Sequence, residues 1–395
     1  MTEDVQQSRA KLATRLAFVA AGFGVACWAP LVPFAKARCH LGDDTMGLVL
    51  LLLGAGSMVA MPLAANLSAR FSNQPIILSS GLGVAVVLPL LSIVSSPLAL
   101  GVALFAFGVF LGSLDIAMNL HAVDVERASE KPLMSGFHAL FSIGGFLGSG
   151  TMTALLSRGI APSSSTLLSS VILVPLILVA IPRLLSNRER TKQPLFAIPR
   201  GVVLVIAIFA AISFLVEGAL LDWSALLLVG EHLVSAAHGG LGYMIFSIAM
   251  TVGRFFGDRI VARFGNRMVL TLGGLLAFLG LCGVLLAPVA WIGLFSFVFV
   301  GLGAANIVPI LFRLAGTQNT MPKGLAVAAL TTAGYAGMLT GPAAIGFLSQ
   351  EIGLPNAFWF LAALMACVPL FAKYLSPGRH PEMSEKHPAP VNKVL

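Results

Sequence analysis

The stretch Ala69-Arg70-Phe71-Ser72-Asn73-Gln74 recurs 193 positions later as Ala262-Arg263-Phe264-Gly265-Asn266-Arg267. The same offset places Gly108 on Gly301, Gly144 on Gly337 and Gly148 on Gly341. One constant offset across three separate regions indicates that the chain contains two copies of one unit. Tandem copies made of apolar helices are typical of membrane transporters, in which the substrate lies where the halves meet.

The composition indicates that lipid solvates most of the chain. Of 395 residues, 57% are hydrophobic and 10% are charged, whereas soluble domains contain about 25% charged residues. A bilayer core is crossed by about 20 apolar residues in a helix. We predict an all-α membrane protein with twelve transmembrane helices in two pseudo-symmetric six-helix bundles. The predicted spans lie near 14–34, 46–67, 76–95, 97–120, 134–157, 163–185, 201–223, 240–262, 268–288, 290–312, 325–348 and 356–375.

Basic residues predict the orientation of these spans. If the spans alternate from a cytoplasmic N-terminus, 21 of the 24 Lys and Arg residues face the cytoplasm, and only Lys36, Arg38 and Arg158 face the other side. The positive-inside rule therefore predicts a multi-pass membrane protein with both termini in the cytoplasm. The net charge of +8 follows from this topology, so we expect no nucleic-acid partner.

The chain divides at its longest polar connection. We predict a first six-helix bundle over 1–185, a cytoplasmic linker over 186–200, a second bundle over 201–375 and a disordered, Pro-rich cytoplasmic tail over 376–395. The four cysteines are dispersed and form neither metal-ligand spacing nor a disulfide framework. We expect a monomer without metal or cofactor. No enzyme motif stands out, so we expect no enzymatic activity.

Two acids within apolar spans are the candidates for proton coupling, because charge there is costly and usually faces a cavity or a partner. Asp115 lies in the fourth predicted span, with Asn119 one turn later on the same face. Glu217 lies in the seventh predicted span. The alternative roles are an interhelical hydrogen bond or ion pair for Asp115 and an outer-gate hydrogen bond for Glu217. By contrast, we expect Asp222 to be solvated near the interface and Trp223 to be a belt aromatic.

Other polar and aromatic residues are candidates for a cavity or a gate. His138 begins the fifth predicted span, where an exposed or capping role is the alternative to binding. Arg254 has Asp258 four residues later, which predicts either a self-neutralised pair or a role in a cytoplasmic gate. Packing is the alternative role for the remaining substrate-binding candidates. The full set of such candidates is Asn119, Trp28, Phe137, His138, Tyr243, Asn306 and Tyr335.

The loop after the eighth predicted span carries a family resemblance. Gly257-Asp258-Arg259-Ile260-Val261-Ala262-Arg263-Phe264-Gly265-Asn266-Arg267 resembles the conserved loop G-x-x-x-D-R-x-G-x-R of the major facilitator superfamily. The sequence departs from this pattern at Ala262 and, in the first half, at Ala69, where the family has an aspartate. The resemblance implies a cytoplasmic gate formed by Arg70, Arg254, Asp258, Arg263 and Arg267.

The run Glu217-Gly218-Ala219-Leu220-Leu221-Asp222-Trp223, with Gly253-Arg254-Phe255, resembles bacterial inner-membrane members near the fucose permease-like branch, which implies a bacterial inner-membrane location. The segment Asp115-Ile116-Ala117-Met118-Asn119 is similar to the acid-x-x-x-Asn signature of the fucose permease-like branch itself. This resemblance implies a proton-coupled secondary transporter for a small polar, sugar-like solute, with the acid as a proton site. Two alternatives stay open: a proton antiporter that exports a drug or metabolite, and a non-transporting membrane sensor on a transporter scaffold.

Overall fold

The structure, a computed structural model, describes residues 2–129, 133–185 and 198–375. Most of the predicted linker, residues 186–197, and the predicted tail, residues 376–395, lie outside these ranges. All regular secondary structure in the described ranges is helical. The helices are α1 (Thr2–Ala26), α2 (Val32–Arg38), α3 (Asp43–Phe71), α4 (Asn73–Ile93), α5 (Pro97–Ser129), α6 (Met134–Ser157), α7 (Pro162–Ala180), α8 (Val202–Gly230), α9 (Leu241–Leu285), α10 (Ala290–Ala304), α11 (Ile307–Thr317), α12 (Lys323–Ile352) and α13 (Leu354–Leu375). Three short 3-10 turns lie at Ala29–Leu31, Ile181–Arg183 and Ala236–His238.

The helix lengths fit twelve membrane crossings. Ten segments of the described chain are long and apolar enough to cross a bilayer. One of them contains α9, which is two helices that meet at the non-helical residue Gly265. The helix α12 has 30 residues but is rich in Gly and Thr, and it is not among the ten. With α9 counted as two crossings and α12 as one, the predicted twelve-helix fold is confirmed.

The internal repeat is visible in the backbone. Ser72, between α3 and α4, has φ 80° and ψ 169°. Gly265, its equivalent under the 193-residue offset, has φ 78° and ψ 160°. This region is accessible to glycine and strained for other residues. Both halves therefore make the same sharp turn, although one of them does so with a serine.

Small residues pack the equivalent helices together in each half. A Cβ atom at Gly108 would collide with the carbonyl oxygen of Leu53, and one at Gly301 would collide with that of Phe246. Leu53 and Phe246 are themselves 193 residues apart. In lipid, close backbone approach at small residues replaces the hydrophobic effect as the force between helices. The same packing thus holds α3 to α5 and α9 to α10.

The bundle has two ends, which we call the basic face and the opposite face. The basic face carries the turns at Ser72 and Gly265, the end of α7 and the start of α12. The opposite face carries residues 27–42, the α6–α7 connection and the α8–α9 connection. The first half denotes α1–α7 and the second half α8–α13.

The two halves meet from the middle of the helices to the opposite face. There α3 packs on α12 and α6 packs on α9. The carboxylate of Asp43 accepts hydrogen bonds from Lys36 and, across the halves, from Ser349. The Ser149 hydroxyl donates to the Gly240 carbonyl at 3.1 Å. Toward the basic face, His138 on α6 and Asp258 on α9 are exposed. The structure is therefore closed at the opposite face and open toward the basic face.

Candidate functional site

Asp115 forms a polar cluster that joins the two halves. It lies on α5, and its Oδ2 accepts a hydrogen bond of 2.7 Å from the Tyr335 hydroxyl on α12. Asn119, one helical turn away, donates from Nδ2 to Asp115 Oδ1 at 3.2 Å and to the Asp115 carbonyl at 2.8 Å. Asp115, Asn119 and Tyr335, three residues singled out by the sequence, are thus brought together and are called the Asp115 cluster.

The Asp115 carboxyl has hydrogen-bond donors around it but no cation in the described part of the chain. Among the described residues, no Lys, Arg or His side chain makes a salt bridge with Asp115. Its polar partners are neutral: a phenol and a carboxamide. An ionised carboxyl within a membrane span is costly without a counter-charge. Of the two alternatives for Asp115, the described structure therefore shows the interhelical hydrogen bond, to Tyr335, and not the ion pair.

Glu217 and Arg254 form a second polar cluster, called the Glu217–Arg254 pair. Arg254 Nη2 on α9 lies 3.6 Å from Glu217 Oε2 on α8, which is longer than a hydrogen bond. Arg254 also donates from Nη1 to Ser142 Oγ of the first half at 3.0 Å. The other carboxyl oxygen, Glu217 Oε1, is buried without a hydrogen-bond partner in the described structure. The pair is loose, and Glu217 Oε1 is available for another partner.

The predicted pair between Arg254 and Asp258 is wrong. Asp258 instead accepts a hydrogen bond of 3.0 Å from Arg313 at the exposed basic face. Arg254 lies one turn deeper, where Glu217 is the acid within reach. Charges attract more strongly where water is scarce, so the interior acid determines the partner of Arg254.

Two more predicted residues lie beside the Glu217–Arg254 pair. Tyr243 on α9 is close enough to Glu217 and Arg254 to interact with their charges, and its ring packs on Phe246 at 5.9 Å. His138 on α6 interacts with Arg254, and the edge of its ring contacts Phe18 at 5.3 Å. His138 is exposed, which places it at the border of the open space between the halves.

Three of the predicted substrate-binding residues contact other parts of the protein in this conformation. Phe137 is 2% exposed and stacks on Phe18 at 5.6 Å, so it packs within the first half. Trp28 is fully buried at the opposite face. Asn306 lies at the break between α10 and α11 and donates to the Gly253 carbonyl at 3.1 Å. Packing, the alternative role, describes these residues better here.

The predicted gate residues lie at the basic face, except Arg254. Arg70, Arg263 and Arg267 are exposed. The guanidinium of Arg70 lies 5.8 Å from the Phe71 ring, and that of Arg263 lies 5.5 Å from the Phe264 ring, which repeats one contact in both halves. Because this face is open in the structure, a gate made by these residues stays a prediction for another conformation.

Some polar residues were missed or misplaced from the sequence. Asp222 and Trp223, expected near solvent, are buried with exposures of 6% and 0%. Ser142 was not singled out, although it lies 193 positions before Tyr335, so the repeat could have pointed to it. Within the described ranges, no three His, Cys, Asp or Glu side chains come close enough together to hold a metal ion.

Comparisons with known proteins agree with this architecture. The sequence model described as Major Facilitator Superfamily matches residues 16–319 and 207–394. An uncharacterized MFS-type transporter of Yersinia pestis is 45% identical over 364 residues, covering 92% of this chain and 95% of the relative. The membrane protein MosC of Rhizobium meliloti is 30% identical, covering 89% and 87%.

Solved structures show the same fold. A point mutant of the nucleoside transporter NupG superposes with a TM-score of 0.72 at 12% identity, covering 94% of this chain and 99% of that one. A bacterial homologue of the human lysosomal transporter Spinster, inward-facing and occupied, has a TM-score of 0.71 at 14% identity, covering 93% and 96%. The helices, the repeat and these matches together show that the chain is a transporter of the Major Facilitator Superfamily.

Proposed function

We propose that this protein is a proton-coupled secondary transporter that moves a small polar, sugar-like solute across the bacterial inner membrane by alternating access. In this proposal the basic face and both termini are cytoplasmic, as the distribution of Lys and Arg favours. The conformation described here is then open to the cytoplasm. The observation that carries the proposal is the hydrogen bond between Tyr335 and Asp115, an acid that links the two halves and has no cation partner among the described residues.

Asp115 is the proposed coupling site because its charge state affects a contact between the halves. A hydrogen bond to an ionised acceptor contributes about 1.5–3 kcal/mol, and one between neutral groups about 0.5–1.5 kcal/mol. Protonation of Asp115 would therefore weaken the Tyr335 contact by about 1 kcal/mol. A proton that binds one arrangement of the halves more tightly than the other shifts the equilibrium between them.

The Glu217–Arg254 pair is the proposed solute site. Glu217 Oε1 accepts hydrogen bonds and the guanidinium donates them, which suits hydroxyl groups that can do both. The ring of Tyr243 supplies an apolar surface beside them. A solute with one full charge would be repelled by one member of the pair. The presence of one negative and one positive side chain therefore favours a neutral polyhydroxylated solute over an ion.

The test is transport in proteoliposomes with an imposed pH gradient, using a panel of sugars, sugar acids and, because one structure of this fold is named a nucleoside transporter, nucleosides. Wild-type protein should accumulate one solute when the opposite-face side is acidic. Asp115→Asn should lose this uphill accumulation and keep counterflow exchange. Glu351→Gln, which alters an exposed acid near the end of α12, is the control and should accumulate as the wild type does.

Three outcomes would contradict the proposal. Undiminished uphill uptake by Asp115→Asn would remove the proton role of Asp115. Solute expulsion driven by the same gradient would indicate an antiporter. Absence of flux for every solute, together with ligand-induced stabilisation of the purified protein, would favour the sensor.

A further inference from the structure

Asp222 is a buried acid that the proposed coupling mechanism does not use. It lies on α8, five residues beyond Glu217 toward the opposite face, or about 7.5 Å along the helix axis. Only 6% of its surface is exposed, and its Oδ1 has no hydrogen-bond partner in the described structure. A buried carboxyl oxygen without a partner is uncommon and points to a functional constraint.

Trp28 of the first half covers Asp222. The indole is fully buried, and its Nε1 likewise makes no hydrogen bond of good geometry. Trp28 nevertheless lies close enough to interact with the Asp222 carboxyl. The turn that follows Trp28, Ala29–Leu31, packs on α8 and on the turn Ala236–His238. Asp222 and Trp28 thus meet only because the halves are closed at this face.

No cation neutralises Asp222 in the described part of the chain. Tyr243 on α9 is the ionisable neighbour that interacts with it. The basic side chains on the elements packed against this end of α8 are engaged elsewhere: Lys36 with Asp43, Arg38 with the carbonyls of Leu91 and Val94, His238 with Ser235, and Arg254 with Glu217 and Ser142. Three further helices that pack on α8 also carry ionisable groups. Arg313 on α11 pairs with Asp258, and Tyr335 on α12 donates to Asp115. Glu351 on α12 and Tyr374 on α13 are exposed.

Closure at the opposite face therefore removes the Asp222 carboxyl from water without supplying a counter-charge. An ionised carboxyl so placed is far more costly to bury than a neutral one. The neutral acid can also accept the Trp28 N–H without leaving a net charge in the interface. When the halves separate at this face, Asp222 returns to the water on that side.

From this geometry we propose that Asp222 is a proton-binding site of the opposite-face gate, and that the gate closes against Trp28 only when Asp222 carries a proton. The site takes a hydrogen ion from the compartment that the opposite face borders. The proposal rests on alternating access as described under the proposed function, but not on the role of Asp115 or on the identity of the solute.

The test measures opening of this gate directly. Ser149 is fully buried and bonded across the halves to Gly240, so Ser149→Cys reports when the opposite face opens. This change is placed in a chain whose four native cysteines are replaced, and labelling by a maleimide is followed in lipid nanodiscs at several pH values. Because thiol reactivity itself rises with pH, the readout is the labelling rate divided by that of the same chain carrying Asp222→Asn.

We expect this ratio to rise with pH, by up to about tenfold per pH unit for a single proton, because Asp222→Asn mimics the protonated acid and keeps the gate closed. Asp115→Asn and Glu217→Gln, each placed in both chains of the ratio, alter the labelling rates themselves but should preserve the rise of the ratio with pH. Asp222→Glu should preserve it as well, and so distinguishes a lost proton site from a damaged fold.

A ratio that does not change with pH would overturn the proposal. The same holds if Asp115→Asn or Glu217→Gln abolishes the pH dependence, because the proton site would then be one of those acids. Since labelling reads the gate and not flux, a protein that moves no solute in liposomes can still pass or fail this test.

Discussion

Ser142 and Tyr335 occupy equivalent positions in the two halves, 193 residues apart, and each makes a polar contact with the opposite half. Ser142 accepts a hydrogen bond of 3.0 Å from Arg254, and Tyr335 donates one of 2.7 Å to Asp115. The scaffold thus uses one repeated position, on α6 and on α12, to connect both polar clusters across the interface.

Tyr335→Phe should impair coupling while leaving the fold intact, because it removes only the hydroxyl that binds Asp115. The lost hydrogen bond corresponds to about 1.5–3 kcal/mol, or roughly a tenfold or larger shift between conformations. We expect proton-driven accumulation in proteoliposomes to fall several-fold. Tyr374→Phe, a change in a largely exposed ring on α13, is the matched control. Equal accumulation by both variants would show that the Tyr335 hydroxyl has no part in coupling.

The Glu217–Arg254 pair should be energetically coupled. Arg254→Gln leaves Glu217 as a largely buried acid without a cation, which should destabilise the purified protein by about 1–3 kcal/mol. The double variant Glu217→Gln with Arg254→Gln should recover part of that loss. Thermal unfolding of the four proteins gives the interaction energy.

The exposed pair Asp258–Arg313 is the matched comparison. Asp258→Asn with Arg313→Gln should change stability by less than about 1 kcal/mol, because water screens exposed charges. If both pairs show the same small coupling energy, water screens the charges of Glu217 and Arg254 as it screens those of the exposed pair.

Gly108 and Gly301 should be equally intolerant of a larger side chain. Gly108→Ala and Gly301→Ala each place a methyl group against a backbone carbonyl, so the helices must separate. We expect each variant to lose about 1–3 kcal/mol of stability in a thermal unfolding measurement. Gly136→Ala on α6 is the control, since a Cβ there meets nothing within 4 Å. A control as unstable as the two variants would argue against the packing explanation.

Ser72→Gly should stabilise the protein by about 1 kcal/mol, because the serine backbone has φ 80° and glycine adopts this conformation without strain. The reverse change at the equivalent turn, Gly265→Ser, should destabilise it by a similar amount. Unfolding temperatures measured side by side check the sign of both effects. Two shifts of the same sign would contradict the equivalence of the turns.

The fold was largely predictable because the repeat and the apolar spans can be recognised in the amino-acid sequence. Polar contacts between side chains on different helices were not predictable. The spacing of Arg254 and Asp258 permits a bond along one helix, yet Glu217 on another helix competes more strongly in the interior. Asp222 and Trp223 lie near the end of their predicted span, and the sequence does not reveal that Trp28 and its following turn cover this end of α8. The position of a residue along its helix was predictable from the sequence. Whether another segment of the chain buries that residue was not.

The polar groups do not follow the symmetry of the backbone. Under the 193-residue offset, Asp115 corresponds to Val308, Glu217 to Gly24 and Arg254 to Met61. Each half therefore has charged residues that the other half lacks at the equivalent positions. The first half has Asp115, and the second half has Glu217 and Arg254. A dimer of either copy with itself would contain only one of these two sets of charged groups, and their fusion into a single polypeptide places both sets in every molecule at a ratio of one to one.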